Sequence, residues 1–234
     1  MKPGATPSRR AALEALRSVR AGQLGDRALE AAAVGLPPRE RAWTQELVYG
    51  TFRLRGRIDH LLGALVRGGV DRVEADVLDI LRLGAYQLLE MGSVPAYAAV
   101  SESVELARDA GAGRASTLVN GVLQNLRRRS HELTFPHFDE DPAAHLASWG
   151  SHPRWLVERW IARWGPEAAR DLVAADNSRP ELYIRPLGVS TEEAAERLRA
   201  VDMASKPVDF SPDSLHIPSP GTAADALGQV AAVV

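Results

Sequence analysis

Residues Val77 to Arg108, VLDILRLGAYQLLEMGSVPAYAAVSESVELAR, read as two helices joined by a short turn. Val77, Ile80, Leu81, Gly84 and Leu88 recur at spacings of three and four, which puts them on one helical face. Gly92 is placed to end the first helix. Pro95 cannot sit inside a helix, but its fixed φ suits the first turn of the next one. Val100, Val104 and Ala107 give that second helix its own apolar stripe. Gly84 interrupts the first stripe with a residue small enough to let a neighbour approach closely. The pair is expected to form the centre of an all-helical domain.

On the N-terminal side, Ser8 is placed to cap a helix that runs to about Val19, with Leu13, Leu16 and Val19 as its stripe. Arg10 and Arg17 lie seven apart and share a face, with Arg9 nearby. Pro37 and Pro38 open a long segment in which Trp43, Leu47, Thr51, Leu54, Ile58, Leu61 and Leu65 continue the helical spacing. Arg53, Arg55 and Arg57 follow at intervals of two, so at most two of them can face one run of phosphates. Tyr49 and Phe52 read as core residues rather than base-stacking platforms.

After a Gly111-Ala112-Gly113 turn, a helix over 115–128 is expected to bury Leu118, Val119, Val122 and Leu126. It ends in Arg127, Arg128 and Arg129. Cations there complement the carbonyl end of the helix dipole, and three in a row also make a phosphate contact.

Residues 131–147 read as a polar, proline-rich linker. His131, His137 and His145 within it match no metal-ligand spacing, so no metal site is expected. In 148–178, Ser151 is placed to cap a helix with Pro153 just inside it, and Leu156, Trp160 and Trp164 follow at intervals of four. Four of the five tryptophans fall in this stretch, and their helical spacing favours packing over base stacking. From 179 the period changes. Leu182 and Ile184 alternate with Tyr183 and Arg185, the pattern of a strand. Ser190-Thr191-Glu192-Glu193 is a capping box that opens a helix, and Val208–Phe210 and Leu215–Ile217 are short strand candidates. The whole reads as mainly α, with a small, incomplete α+β subdomain (β-α-β) at its end.

Composition narrows the function. No run of eighteen apolar residues exists, so no membrane span is expected. The first ten residues lack the apolar stretch of a secretory signal. The 234 residues contain no cysteine, which excludes disulfides, thiolate metal sites and cysteine nucleophiles together. A cytoplasmic address follows as the default. Residues 1–130 carry 19 Lys+Arg against 14 Asp+Glu, a net +5, while 131–234 carry 9 against 16, a net −7. A polyanion is therefore expected to meet the front half.

LRLGAYQLLEMGSVPAYAAVSESVELAR, followed by LVNGVLQNLRRR at Leu118–Arg129, resembles the NusB-type RNA-binding domain. It does so in the version found at the front of the RsmB (Sun/Fmu) family. ERAWTQELVYGTFR at 40–53, SHPRWLVERW at 151–160 and DNSRPELYIRPL at 176–187 extend the resemblance over nearly the whole chain. Ser101 and Gln124 depart from the family pattern, where Asn and Arg are usual. The resemblance implies a NusB-like helical domain over 1–130, a linker at 131–147, a helical segment at 148–178 and a pre-catalytic subdomain over 179–234.

That family methylates carbon 5 of a cytosine in small-subunit ribosomal RNA with S-adenosylmethionine. Its first helix contacts RNA, which implies that role for Arg9, Arg10 and Arg17; a solvated face is the plainer reading of the same residues. Arg53, Arg57, Arg127, Arg128 and Arg129 complete the RNA-binding set expected here. The family's cofactor loop and its cysteine nucleophile are missing from this sequence. The chain alone is therefore expected to bind RNA, small-subunit ribosomal RNA above all, without catalytic residues or a cofactor of its own, and with a protein partner possible at the helical domain. A stand-alone NusB-like antitermination or scaffold protein, and a purely structural helical module, are the alternatives.

Overall fold

The computed structural model describes residues 4–178 and 181–218. They fall into two compact units, Met1–Asn177 and Ser178–Val234. The first unit is helical: α1 (Pro7–Arg20), α2 (Gly25–Ala32), α3 (Pro38–Arg53), α4 (Arg55–Leu65), α5 (Ala75–Leu89), α6 (Ala96–Asp109), α7 (Ser116–Arg129), α8 (Pro142–Ser148), α9 (Arg154–Trp164) and α10 (Pro166–Asn177).

Helix α5 is the hub. It packs against α1, α3, α4, α6 and α7. Val77, Ile80, Leu81, Leu83, Ala85 and Tyr86 are all buried within it, so the stripe widens into a helix covered on most sides. A Cβ on Gly84 would lie 2.6 Å from Leu123 Cδ1 of α7 and 2.7 Å from Ser103 Oγ of α6. The missing side chain is what lets α6 and α7 close over α5. The helix pair and its turn are thus as expected, while the second stripe is Val100, Ser103, Leu106 and Ala107, with Leu88 and Val104 only partly buried.

Four local readings change. The long segment after Pro38 is two helices, because the backbone turns at Leu54 (φ −101°, ψ 18°). The turn lets α3 pack on α1 and α5 while α4 packs on α5 and α7. Ser8 does not cap α1. Thr6 stands at the cap with Pro7 inside the first turn, and the Ser8 hydroxyl donates to Glu40 Oε2 at 2.9 Å. Ser151 does not cap α9 either. It takes a positive φ of 62°, and its Oγ accepts from the Gly56 backbone N–H at 2.7 Å. Leu118 is 41% exposed, and Leu123 takes its place in the core.

The stretch read as a linker contains α8, whose Asp141 side chain accepts from Ala144 N, with Pro142 in the first turn. Helices α8, α9 and α10 share a small core of Leu146, Val157, Ala169 and Val173. This group is seated on α4. Besides the Gly56–Ser151 bond, Arg57 Nε donates to Trp149 O at 2.7 Å, and His60 stacks on Phe135 with centroids 4.7 Å apart.

The second unit holds β1 (Leu182–Ile184), α11 (Thr191–Ala200), β2 (Lys206–Val208) and β3 (Ser211–Ile217). The sheet order is β1-β3-β2, and β3 runs antiparallel to both neighbours. Thus β1 and β2 are the parallel arms of a β-α-β unit split by β3. Ser190 Oγ accepts from Glu193 N at 3.2 Å, as the capping box requires. Ala194 and Leu198 of α11 cover Leu215 and Ile217 on one face of the sheet.

Candidate nucleic-acid interface

The arginines of α1 are mostly engaged within the fold. Arg9 is buried at 8% exposure. Its Nε donates to Gln87 Oε1 at 2.8 Å and its Nη1 to Thr6 Oγ1 at 2.9 Å, while its guanidinium lies 4.9 Å from the Trp43 ring centroid. Burial pushes Arg9 below its usual pKa, against the opposing pull of Glu102. Arg17 donates to Asp76 Oδ2 from both Nε (3.1 Å) and Nη2 (2.6 Å). That bond raises Arg17 and holds the Asp76 carboxyl below the usual carboxylate range. Arg10 is half exposed; it donates to Ala5 O and lies 3.5 Å from Asp109.

Arg17 belongs to a longer chain of alternating charge. Asp76 also pairs with Arg20, Arg20 with Asp79, Asp79 with Arg82, and Arg82 with Asp59 through two bonds of 2.7 and 2.8 Å. The chain ties α1 to α5 and α5 to α4. Asp79 is 4% exposed, and its burial raises its pKa despite the two arginines. Such buried pairs hold geometry in place more reliably than they add net stability.

Arg53 is half-buried and interacts with the Tyr86 hydroxyl, which itself donates to Glu46 Oε1 at 2.7 Å. Arg57 is half-buried too. Its guanidinium lies 4.7 Å from the Trp149 ring centroid and 3.5 Å from Glu90.

The end of α7 is different. Arg127, Arg128 and Arg129 are all exposed. Arg128 donates to Asn125 at 2.8 Å and Arg129 to Glu132 at 2.8 Å, both contacts at the solvent surface where such pairs are weak. Arg127 has no ion pair among the described residues. The expected set is therefore not brought together as one surface. Arg9, Arg17, Arg53 and Arg57 are held by intramolecular partners, and the α7 end offers accessible guanidinium groups.

Two aromatic features escape the sequence reading. Trp155 is 64% and Trp164 52% exposed, because α9 turns the buried Val157 and the partly buried Trp160 and Ile161 inward rather than Leu156, Trp160 and Trp164. In the second unit, Tyr183 and Phe210 are exposed. The alternation around Tyr183 signals the first; no local pattern marks Phe210. Tyr49 and Phe52 pack against the main core, as expected. His145 Nδ1 faces Pro136 O at 2.8 Å and its ring stacks on Trp149. Among the described residues no cluster of His, Cys, Asp and Glu could hold a metal ion, and no helix is long and apolar enough to cross a membrane.

Comparison with known proteins extends this description. Residues 6–128 match the NusB family, and residues 152–224 match the ferredoxin-like domain of RsmF/B-like methyltransferases. A Mycobacterium tuberculosis (strain H37Rv) protein named as a methyltransferase is 35% identical over 91% of this chain and 48% of its own length. Ribosomal RNA small subunit methyltransferase B of Pseudomonas putida is 34% identical over 76% of this chain and 39% of its own length. The chain thus spans less than half of either relative. A crystal structure of the protein PH0851 aligns with 94% of this chain and 50% of its own, at a TM-score of 0.64 and 17% identity, which is a likeness of fold.

Proposed function

The chain belongs to the NusB family and carries, behind that domain, a ferredoxin-like domain of the RsmF/B type; from this premise we propose that it is the RNA-recognising part of a ribosomal RNA methyltransferase. The finer reading is an enzyme that uses S-adenosylmethionine to modify carbon 5 of a cytosine in small-subunit ribosomal RNA. The order of the two domains in one chain carries this reading. A stand-alone antitermination or scaffold factor would leave residues 152–224 without a role.

RNA is expected on the first unit, at Arg127, Arg128 and Arg129 with the half-exposed Arg10 as a further contact. Arg9 and Arg17 serve it indirectly, by fixing α1 to the hub helix. A protein partner at the helical domain and a cytoplasmic address belong to the same proposal.

S-adenosylmethionine supplies the methyl group in that chemistry. The described residues do not fit it. Their sheet is antiparallel, without the glycine-rich turn from a parallel strand into a helix that seats such a cofactor. The sequence also has no cysteine whose thiolate could attack the pyrimidine ring. Methyl transfer is therefore assigned to no residue of this chain.

The test is a filter-binding titration of small-subunit ribosomal RNA fragments over a salt series. Affinity is expected to fall steeply as salt rises, because arginine–phosphate contacts release counterions. Absence of binding, or binding indifferent to salt, would overturn the proposal.

A further inference from the structure

Helix α11 covers one face of the sheet in the second unit; the opposite face carries aromatic rings. Side chains alternate across a strand, so with Leu182, Ile184, Leu215 and Ile217 turned toward α11, Tyr183 and His216 point the other way. The register sets Tyr183 directly opposite His216 on β3, and His216 directly opposite Lys206 on β2. These three residues form a row across the sheet. The Tyr183 and His216 rings are stacked, with centroids 5.1 Å apart and planes 30° apart. Phe210, between β2 and β3, brings a third ring to 6.2 Å from Tyr183 and is 83% exposed. The Tyr183 hydroxyl donates to Glu181 Oε2 at 2.6 Å, and His216 Nε2 lies 3.4 Å from the same oxygen, so the Tyr183 and His216 rings are held in place.

We propose that this face is a platform on which unpaired RNA bases stack, an inference that rests on the RNA-binding reading above. Flat, partly ordered rings offer the surface that an unstacked base needs, and every base has a π-face to lay on them. The strand positions that share this face are Tyr183, Lys206, Pro212, Ser214 and His216, with Pro212 the one aliphatic side chain among them. A docking protein would be met by an apolar patch, whereas rings edged by a lysine, hydroxyls and an imidazole suit bases and their polar rims. Phosphate grip is small here. Lys206 is the row's one lysine or arginine, and beside the row stands Arg185, whose pair with Asp213 at 3.0 Å is exposed and therefore weak. Affinity from this face should therefore come mainly from stacking and depend less on salt than affinity from the end of α7.

The experiment titrates the full chain with a labelled single-stranded oligoribonucleotide of about twenty nucleotides and with a duplex of the same length, each over a salt series. Tyr183→Ala combined with Phe210→Ala should weaken single-strand binding at least about tenfold, leaving the salt slope and duplex binding unchanged. Tyr183→Phe should retain the affinity. Circular dichroism of the double variant tests whether the unit stays folded, and Phe210→Ala alone, at a position 83% exposed, should already weaken binding with no loss of fold. Unchanged single-strand affinity in the double variant would overturn the platform and leave the face to a protein contact. If Arg127→Gln with Arg128→Gln still lowered the salt slope in that case, the RNA-binding reading would survive. Equal losses on single strand and duplex would also overturn stacking. Absence of RNA binding by the unmodified chain would overturn both.

Discussion

Gly50 on α3 faces Tyr86 on α5 so closely that a Cβ at position 50 would lie 2.0 Å from the tyrosine Cζ. The ring is 2% exposed and its hydroxyl is tied to Glu46, so it cannot swing aside. Gly50→Ala should therefore force the helices apart. Overpacking of this kind costs about 1–3 kcal/mol or more. Chemical denaturation should show a loss at the upper end of that range; a loss below about 0.5 kcal/mol would mean that the ring has room to move.

Burial pushes Tyr86 up to about 12, with the Glu46 hydrogen bond adding to it. In the unfolded chain the phenol ionises near pH 10. Between about pH 10 and 12 the unfolded state loses its proton while the folded state keeps it, so stability should fall across that window and level off above it. The part due to this group should be on the order of 2 kcal/mol. Tyr86→Phe should flatten that part of the profile. At neutral pH it should cost only about 1 kcal/mol for the lost hydrogen bond.

Arg82 stands between Asp59 and Asp79, and the latter is 4% exposed. Arg82→Ala leaves the buried Asp79 carboxylate to Arg20 alone and should cost about 3 kcal/mol at pH 7, the lower end for breaking a buried pair. Burial already holds Asp79 above its usual pKa, so it takes up a proton early as pH falls. The deficit of the variant relative to the native chain should accordingly shrink as pH is lowered toward the ordinary carboxylate range. A deficit that is constant with pH would assign the loss to packing of the arginine stem rather than to charge.

Arg17 and the α7 arginines should separate in opposite assays. Arg17→Gln removes a partner of Asp76, whose lowered pKa means that its stabilisation is present above the ordinary carboxylate range and lost as pH falls below it. That variant should lower the melting temperature at neutral pH and leave the RNA salt slope alone. Arg127→Gln with Arg128→Gln should lower the salt slope by roughly one to two units with the melting temperature unchanged. The converse pattern would return the RNA surface to α1.

The hub of the fold is legible in the sequence because its period is local. Val77, Ile80 and Leu81 announce a helical face, and Gly84, next along it, announces a close neighbour. The role of the α1 arginines is not legible, because the carboxylates that occupy them are far away in sequence; Asp76 stands 59 residues beyond Arg17. Charge counts cannot distinguish an arginine that waits for phosphate from one already bound to aspartate. In α9 the run Trp155-Leu156-Val157 followed by Trp160-Ile161 permits two stripes one residue apart, and periodicity alone does not choose between them. The choice falls to packing against Leu146 and Val173, and it turns Trp155 outward. Ser151 looks like a cap because it precedes a proline, yet its hydroxyl serves Gly56, 95 residues earlier.

The ion pairs between α1 and α5 also set an order of events on the ribosome. Arg17 and Arg20 of α1 are made before Asp76 and Asp79. At about 5–20 residues per second, the 59 residues between Arg17 and Asp76 take roughly 3–12 s to synthesise. Through that interval α1 has no clamp on the hub helix. The nascent chain thus holds α1 loosely until the hub helix arrives, and the arginines of α1 are neutralised while α6 and α7 are still to be made.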